Sequence, residues 1–253
     1  SYPAAKSVGL FFRSHGVEVM ASYGYGVAPS SKLVAQNFAA SAADAGVQVG
    51  VVDTSVPFGT VDFTTAALVA RSKHVDGLFA AMDNASNLAL VTAMKDAGVH
   101  LKVTVLATGL EPDVVDQPGW SDLQGAYFVS QFWPTQVPTP ATRSFQAALA
   151  KYAHRPPSQF PTFNVYEGWL GADLFIRGLE AAGPSPSRAG FITDLRKVTS
   201  YDGGGLLPES FDYATIFGHD APISCSFVLR AEQHGFAPLS EQPLCGPIVQ
   251  GSG

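Results

Sequence analysis

The sequence is poor in charged residues, and those it has are mostly acidic. Asp, Glu, Lys and Arg together make up 14% of the 253 residues, against about 25% in an average soluble domain. Asp and Glu number 21 and Lys and Arg 15, which gives a net charge of −6. Because nucleic-acid binding needs a clustered basic surface, this composition argues against a nucleic-acid partner. No apolar run reaches the ~18 residues of a membrane-spanning helix, so we predict no transmembrane segment in this chain.

Local signatures of catalysis and of metal binding are also missing. None of the six His residues pairs with another at metal-ligand spacing, and the G-x-S-x-G, H-E-x-x-H and phosphate-loop motifs do not occur. We therefore predict that the protein is not an enzyme and holds no metal or cofactor. Gly24 and Gly26 match two of the three glycines of the dinucleotide fingerprint, with Asp53 in the place of its ribose-binding acid. Pro29 occupies the position of the third glycine, so an NAD-dependent oxidoreductase is the weaker alternative.

Only two cysteines are present, Cys225 and Cys245, and they flank a segment with the pattern of a hairpin. They lack the spacing of a metal site. They form either one disulfide or two separate buried thiols, and we predict the disulfide. In the chain-entropy description, closing a loop of this size stabilises the fold by ~3 kcal/mol. Such a bridge would place the protein in an oxidising compartment outside the cytoplasm.

Short strands alternate with helices over the first half of the chain. The strands are expected at 17–22, 47–52, 75–81 and 101–106, and the connecting helices at 31–45, 62–73 and 84–97. This order predicts an α/β fold with a parallel sheet covered by helices on both faces. From residue 125 the pattern changes to a strand at 125–133, three helices within 140–199 and a β-rich tail at 210–239. We expect two lobes, of which the second is rich in helix and short of strands.

Ligands of open α/β sheets bind beyond the carboxyl ends of the parallel strands. The residues that follow the predicted strand ends are Tyr23, Tyr25, Met82, Asp83, Asn84, Thr108 and Gly109. Phenol, carboxylate, amide and hydroxyl groups along one rim suit a small, partly polar solute with an apolar body. Structural roles are the alternative: Asn84 or Ser86 could cap the helix at 84–97, Tyr23 could pack against the sheet, and Thr108 could bind loop backbone.

The order of several short stretches resembles that of a known family. The matching stretches are 17–22 with Tyr25-Gly26, 61–64, 75–98, 145–152, 166–184, and 195–199 with 204–206. In this order they resemble the type I solute-binding proteins of ABC transporters, within the branched-chain amino acid binding group. The resemblance covers nearly all of the chain and lies in the order of the stretches rather than in any one motif.

The resemblance implies a type I periplasmic-binding-protein fold of two α/β lobes, the first of them incomplete here. It implies an extracytoplasmic protein, in the periplasm or at the cell surface, that captures a small solute, such as an amino acid or a similar small organic acid or amide, between the lobes. The solute would then pass to an ABC transporter permease. A ligand-sensing receptor domain of the same fold is the alternative function. An N-terminal first-lobe segment, absent here, would be a partner of this chain and would carry any lipid anchor.

The same resemblance divides the chain into four parts. Residues 1–16 form a helix belonging to the first lobe, 17–124 the complete α/β lobe, 125–205 the returning helical part of the first lobe, and 206–253 a β-rich tail returning to the α/β lobe.

Individual roles also follow from the resemblance. Tyr25 matches the family's ligand-contacting Tyr, and Asp83 lies near a contact after the third strand. Thr108 or Gly109 stands near the family's acidic residue for a ligand ammonium, but neither is acidic and Glu111 lies two residues further on, so the sequence leaves open whether an α-amino group is recognised. Phe163 and Tyr166 begin a helix whose counterpart lines the cleft, with core packing as the alternative.

Overall fold

The computed structural model describes residues 3–156, 159–217 and 223–250. The chain forms two compact units, of which unit 1 comprises 1–130 and 224–253 and unit 2 comprises 131–223. Unit 1 contains β1 (Pro3–Ala5), α1 (Ser7–Ser14), β2 (Val19–Tyr25), α2 (Pro29–Asp44), β3 (Gln48–Val56), α3 (Thr64–Ser72), β4 (Gly77–Ala81), α4 (Asn84–Asp96), β5 (Val103–Leu106), a 3₁₀ turn (Pro112–Asp116), α5 (Trp120–Leu123), β6 (Tyr127–Ser130), β7 (Cys225–Glu232), β8 (Gly235–Pro238), β9 (Leu244–Cys245) and β10 (Ile248–Gln250).

The main sheet of unit 1 has the strand order β3-β2-β4-β5-β6-β7-β8. Strands β2 to β5 pair in parallel, as predicted, and β6 adds a further parallel strand beside β5. Strands β7 and β8, which come from the predicted β-rich tail, extend this sheet as antiparallel strands. The reason is local: Glu232 pairs with Gly235, and a two-residue hairpin can join only antiparallel strands.

The sheet contains a topological switch point between β2 and β4. Strand β2 lies between β3 and β4, so the chain leaves it toward one side and returns on the other. The two loops that leave the carboxyl ends of β2 and β4 therefore diverge and open a crevice between them. Strands β2 and β4 are almost wholly buried, so the two ends of this crevice start from well-packed strands.

Helix α1 belongs to unit 1, which differs from the assignment of residues 1–16 to another lobe. Its residues Val8, Phe11 and Phe12 are buried in one hydrophobic core with Met20 of β2 and Phe79 of β4. The apolar face of α1 is therefore covered by the sheet that follows it in the chain.

Unit 2 is built mainly from helices. They are α6 (Pro140–Tyr152), α7 (Phe163–Ala182), α8 (Arg188–Leu195) and α9 (Tyr213–Ile216), with a 3₁₀ turn at Gly203–Gly205. A small core unites Phe132, Phe145, Tyr166 and Leu206. The unit boundaries also differ from the prediction, because 125–130 belong to unit 1 and 206–217 to unit 2. Residues 218–222 and 251–253 of the predicted β-rich tail lie outside the described residues.

The predicted disulfide is confirmed. Cys225 of β7 and Cys245 of β9 are bonded, with their Cα atoms 4.1 Å apart. The two cysteines are also register partners of the antiparallel β7–β9 pair. The bridge therefore joins two strands that are already neighbours.

Candidate ligand-binding site

Tyr25 is the last residue of β2 and lies at the centre of a polar cluster at the switch point. Its ring is buried, with 3% of the residue exposed. The Tyr25 hydroxyl is hydrogen-bonded to the Asp83 carboxylate and lies 2.7 Å from Ser86 Oγ. Ser86 Oγ also donates to the Thr60 carbonyl at 2.7 Å. The ends of β2 and β4 and the loop before α3 are thus connected through Tyr25, Asp83, Ser86 and Thr60, which we call the rim cluster.

A second serine, Ser31, joins the ends of β2 and β4 next to the rim cluster. The backbone N–H of Tyr25 donates to Ser31 Oγ at 2.8 Å, and Ser31 Oγ donates to the Ala81 carbonyl. Ser31 lies in the first turn of α2, immediately after the loop that leaves β2. The carboxyl ends of β2 and β4 are therefore fixed relative to each other, so the rim cluster is preorganised.

Asp83 combines a structural and an electrostatic role. It is the N-cap of α4, and its Oδ1 accepts a hydrogen bond from the Ser86 N–H at 2.9 Å. Burial alone would raise the pKa of Asp83, but hydrogen bonds from the Tyr25 hydroxyl and from the backbone N–H groups of Ser86 and Ala85 outweigh it and lower the pKa. Asp83 is therefore ionised at neutral pH. Of the two suggested caps for this helix, Asn84 and Ser86, neither is the N-cap.

The lowered pKa of Asp83 predicts a pH-dependent contribution to stability. A carboxyl group whose pKa is lower in the folded state stabilises the fold above its unfolded pKa of about 4 and loses that contribution as the pH falls through its folded pKa. We expect Asp83→Asn, which keeps a capping side chain, to be less stable than the parent above about pH 5, with the difference narrowing below about pH 4. Urea unfolding of both proteins at pH 7, 5, 4 and 3 measures it. A difference that does not change with pH would show that the Asp83 charge is not stabilised.

Thr108 and its neighbours form a second group at the end of β5. The Thr108 hydroxyl donates to the Met82 carbonyl, and Asn87 Nδ2 donates to both Met82 O and Thr108 Oγ1 at 3.0 Å. Gly109 has φ +103°, and a Cβ there would lie 3.0 Å from Asn84 Oδ1. Thr108 is exposed and Asn84 half-buried, so these two side chains lie near the surface. The Met82 side chain is buried, and its carbonyl accepts the hydrogen bonds of Thr108 and Asn87.

Tyr23 is part of the core rather than of the rim. Only 1% of the residue is exposed, and its hydroxyl lies 3.5 Å from the Ala66 carbonyl of α3. Burial, together with the negative charge of Asp53, raises the pKa of Tyr23 to about 12. The burial of Tyr23 therefore favours a role in packing over a role in ligand contact.

Phe163 and Tyr166 both lie in unit 2. The Tyr166 ring is buried and stacks on Phe132 at 4.8 Å between centroids, and its hydroxyl donates to the Trp133 carbonyl at 2.9 Å. Phe163 is partly exposed and packs beside Phe132 at 5.2 Å. Core packing thus accounts for Tyr166, and a ligand contact by Phe163 stays a prediction.

Sequence reasoning missed Phe58 and Thr60, which lie in the loop between β3 and α3. The Phe58 ring lies 5.0 Å from the Tyr25 ring, and the residue is 71% exposed. The sequence Pro57-Phe-Gly-Thr60 does predict a tight turn, because proline and glycine favour turns. Nothing local indicates that this turn lies beside Tyr25.

A separate groove lies on the outer surface of unit 1, between α3 and α4. It has a volume of about 750 Å³ and is open to solvent, and its lining includes five alanines together with larger residues such as Leu68, Arg71 and Asp96. None of the residues of the rim cluster lines it. The rim cluster is the stronger candidate site, because it lies at the switch point and carries convergent polar groups.

Unit 1 is a doubly wound α/β sheet with a polar cluster at its switch point, which is where open sheets of this class bind their ligands. A family model described as periplasmic binding protein matches residues 1–235, so the chain belongs to the periplasmic binding protein family. The family and the type I fold predicted from the resemblance are confirmed. No curated protein sequence matches the chain. No helix in the described part of the chain has both the length and the apolar character needed to cross a membrane.

Solved structures with the same fold come from transport systems. The chain is similar to a fatty acid ABC transporter substrate-binding protein from Thermomonospora curvata, with 16% identity, 93% of this chain and 62% of that one covered, and a TM-score of 0.72. A branched-chain amino acid ABC transporter protein from Thermus thermophilus with bound valine has the same identity and TM-score, with 96% and 65% covered. A solute-binding protein from R. palustris in complex with benzoate also has 16% identity and TM-score 0.72, with 96% and 63% covered.

These similarities establish the fold of the chain. At 16% identity they do not transfer a ligand. The chain spans 62–65% of the length of these three structures.

Proposed function

We propose that the protein is an extracytoplasmic solute-binding protein that captures a small molecule and delivers it to an ABC transporter permease. The observation that carries this proposal is the rim cluster, a preorganised set of polar groups at the switch point of a chain from the periplasmic binding protein family. The similar structures include proteins of ABC transporters, which supports a permease as the partner. Two of these similar structures contain valine and benzoate, and a third belongs to a fatty acid transporter. Small organic acids and amino acids are therefore the solutes to test first.

The chemistry of the rim cluster favours binding over catalysis. Burial and the hydrogen bond to the Asp83 carboxylate raise the pKa of Tyr25, so its hydroxyl stays protonated and acts as a donor. Ser86 Oγ is bonded to the Thr60 carbonyl, which cannot accept its proton as a general base would. Asp83 is ionised but occupied by the helix cap and by Tyr25. These groups hold one another in place and activate no nucleophile, which supports a protein that is not an enzyme.

The disulfide supports the proposed location. Disulfides persist in oxidising compartments and are rare in the cytoplasm. The Cys225–Cys245 bridge and the family membership point in the same direction. We therefore propose the periplasm or the outer cell surface as the place where the protein works.

A solute-binding titration with a conservative variant tests the proposal. L-valine, benzoate and octanoate are titrated by calorimetry into the full chain, and we expect at least one to bind with a Kd in the micromolar range or tighter. Tyr25→Phe keeps the buried ring but removes the hydroxyl that joins Asp83 and Ser86. We expect this variant to bind the same solute at least tenfold more weakly, equivalent to ~1.4 kcal/mol.

Tyr23→Phe is the matched control. It removes a buried phenol hydroxyl from the same strand, two residues away, which makes only a 3.5 Å contact with a carbonyl. Its affinity should equal that of the parent. Equal affinities of Tyr25→Phe and the parent would place the site elsewhere, and the absence of binding to all three solutes would contradict the proposed solute class.

A further inference from the structure

The loop between β3 and α3 forms a well-defined turn. The Thr60 N–H donates to the Pro57 carbonyl at 3.2 Å, and Gly59 has φ +76°. A closing hydrogen bond with a positive φ at the third residue is the pattern of a type II turn, in which Phe58 occupies the second position. The Thr60 hydroxyl adds a bond of 2.7 Å to the same carbonyl. The turn is therefore held by two hydrogen bonds within four residues.

The turn is also attached to the candidate site. The carbonyl of Thr60 accepts the hydrogen bond of Ser86, so the turn moves with the first turn of α4. At the tip of the turn, the Phe58 ring contacts the Tyr25 ring, and the two ring planes make an angle of 52°. Most of the Phe58 ring surface nevertheless faces solvent, since the residue is 71% exposed. An anchored turn thus holds a large apolar ring in water directly beside the switch point.

The polar groups below Phe58 are already bonded to one another. Tyr25 and Ser86 use their hydroxyls within the rim cluster, and Asp83 accepts from both the Tyr25 hydroxyl and the Ser86 N–H. The main surface that remains exposed to a ligand beside the rim cluster is therefore the aromatic ring of Phe58. Apolar surface of this kind gains free energy when an apolar group of a ligand covers it.

We propose that Phe58 is a specificity-determining residue that selects solutes with a sizeable apolar body over small solutes that have the same polar head group. This inference rests on the proposed function, because it assumes that the crevice at the switch point binds a solute. It adds a residue and a ligand class: branched aliphatic or aromatic solutes contact the Phe58 ring, while a head group alone leaves it exposed.

Ligand pairs that differ only in their apolar part test the proposal. L-valine is compared with glycine, and benzoate with acetate, by calorimetric titration of the full chain. For the pair that binds, we expect the larger solute to bind at least tenfold more tightly in the parent protein. Phe58→Ala should reduce this preference at least tenfold, whereas Phe58→Trp should keep it. The fluorescence emission of the indole introduced by Phe58→Trp should shift when the larger solute binds.

Tyr152→Ala is the control, because Tyr152 is an aromatic residue of matching exposure, 74%, located in unit 2. Its preference should equal that of the parent. Solute binding that depends on Tyr25 but keeps its full size preference in Phe58→Ala would overturn the role of Phe58 and leave the proposed function standing. If octanoate alone binds, it is compared with acetate in the same way, and if none of L-valine, benzoate and octanoate binds, both proposals are contradicted.

Discussion

Breaking the Cys225–Cys245 disulfide is expected to lower the free energy of unfolding by about 3 kcal/mol. The two cysteines are 20 residues apart in sequence, and a closed loop of that length removes about this much conformational entropy from the unfolded chain. A typical domain has only about 5–15 kcal/mol of stability in total. The loss would therefore be a large fraction of what keeps unit 1 folded.

The position of the bridge explains why few other interactions would replace it. Strand β9 is two residues long and pairs with β7 only at Cys225–Cys245 and Ser226–Leu244. Beyond it, β10 pairs with β1, and the Lys6 N–H donates to the Pro247 carbonyl at 2.9 Å. The disulfide thus ties the strand that closes onto the N-terminal segment to the main sheet.

Urea unfolding with and without dithiothreitol measures this contribution. The double variant Cys225→Ser/Cys245→Ser is the control, because it should match the reduced parent and should not respond to dithiothreitol. A parent whose unfolding midpoint is the same in both conditions would contradict the prediction. It would also weaken the argument for an oxidising compartment.

The candidate site shows where sequence reasoning succeeds and where it stops. Tyr25 and Asp83 are predictable because each follows a short apolar strand, and parallel strands bring their carboxyl ends to one edge. The sequence pattern places Tyr23 at the rim because it ends strand β2 at residue 22, whereas the strand runs to Tyr25. Because β2 continues past Tyr23, the Tyr23 ring lies against α3 instead of at the rim. A small error in a strand boundary thus moves one candidate from the rim to the core.

Contacts between distant segments cannot be predicted in this way. The turn of Phe58 is visible as a turn, but its place beside Tyr25 depends on the path of the loop over the end of β2. The apolar face of α1 is also recognisable, yet such a face fits any core. The sequence does not reveal which core covers α1, because no local pattern encodes its burial against β2 and β4 or the close approach of Gly9 to α2.

Gly9→Ala is expected to destabilise unit 1 by about 3 kcal/mol or more, because Gly9 lies where α1 meets the backbone of α2. A Cβ at Gly9 would lie 2.0 Å from the Ser41 carbonyl oxygen and 2.9 Å from the Ala42 nitrogen. Backbone atoms inside a helix cannot rotate away, so α1 would have to move as a whole. Overpacking of this kind costs about 1–3 kcal/mol or more.

The same displacement would disrupt a buried hydrogen-bond network. Ser41 Oγ accepts from the Gly9 N–H at 2.9 Å and donates to the Ala5 carbonyl at 2.7 Å. Leaving such buried groups unpaired adds about 1–3 kcal/mol. Moving α1 also loosens Phe12, which is fully buried against the sheet.

Gly168→Ala is the matched control for this substitution. Gly168 lies inside α7, and a Cβ there would meet nothing within 4 Å. Because alanine is the better helix former, this variant should be as stable as the parent or up to ~1 kcal/mol more stable. Urea unfolding of the three proteins makes the comparison. If Gly9→Ala unfolds at the same urea concentration as the parent, α1 does not rest on α2, and the assignment of residues 1–16 to a separate lobe regains its support.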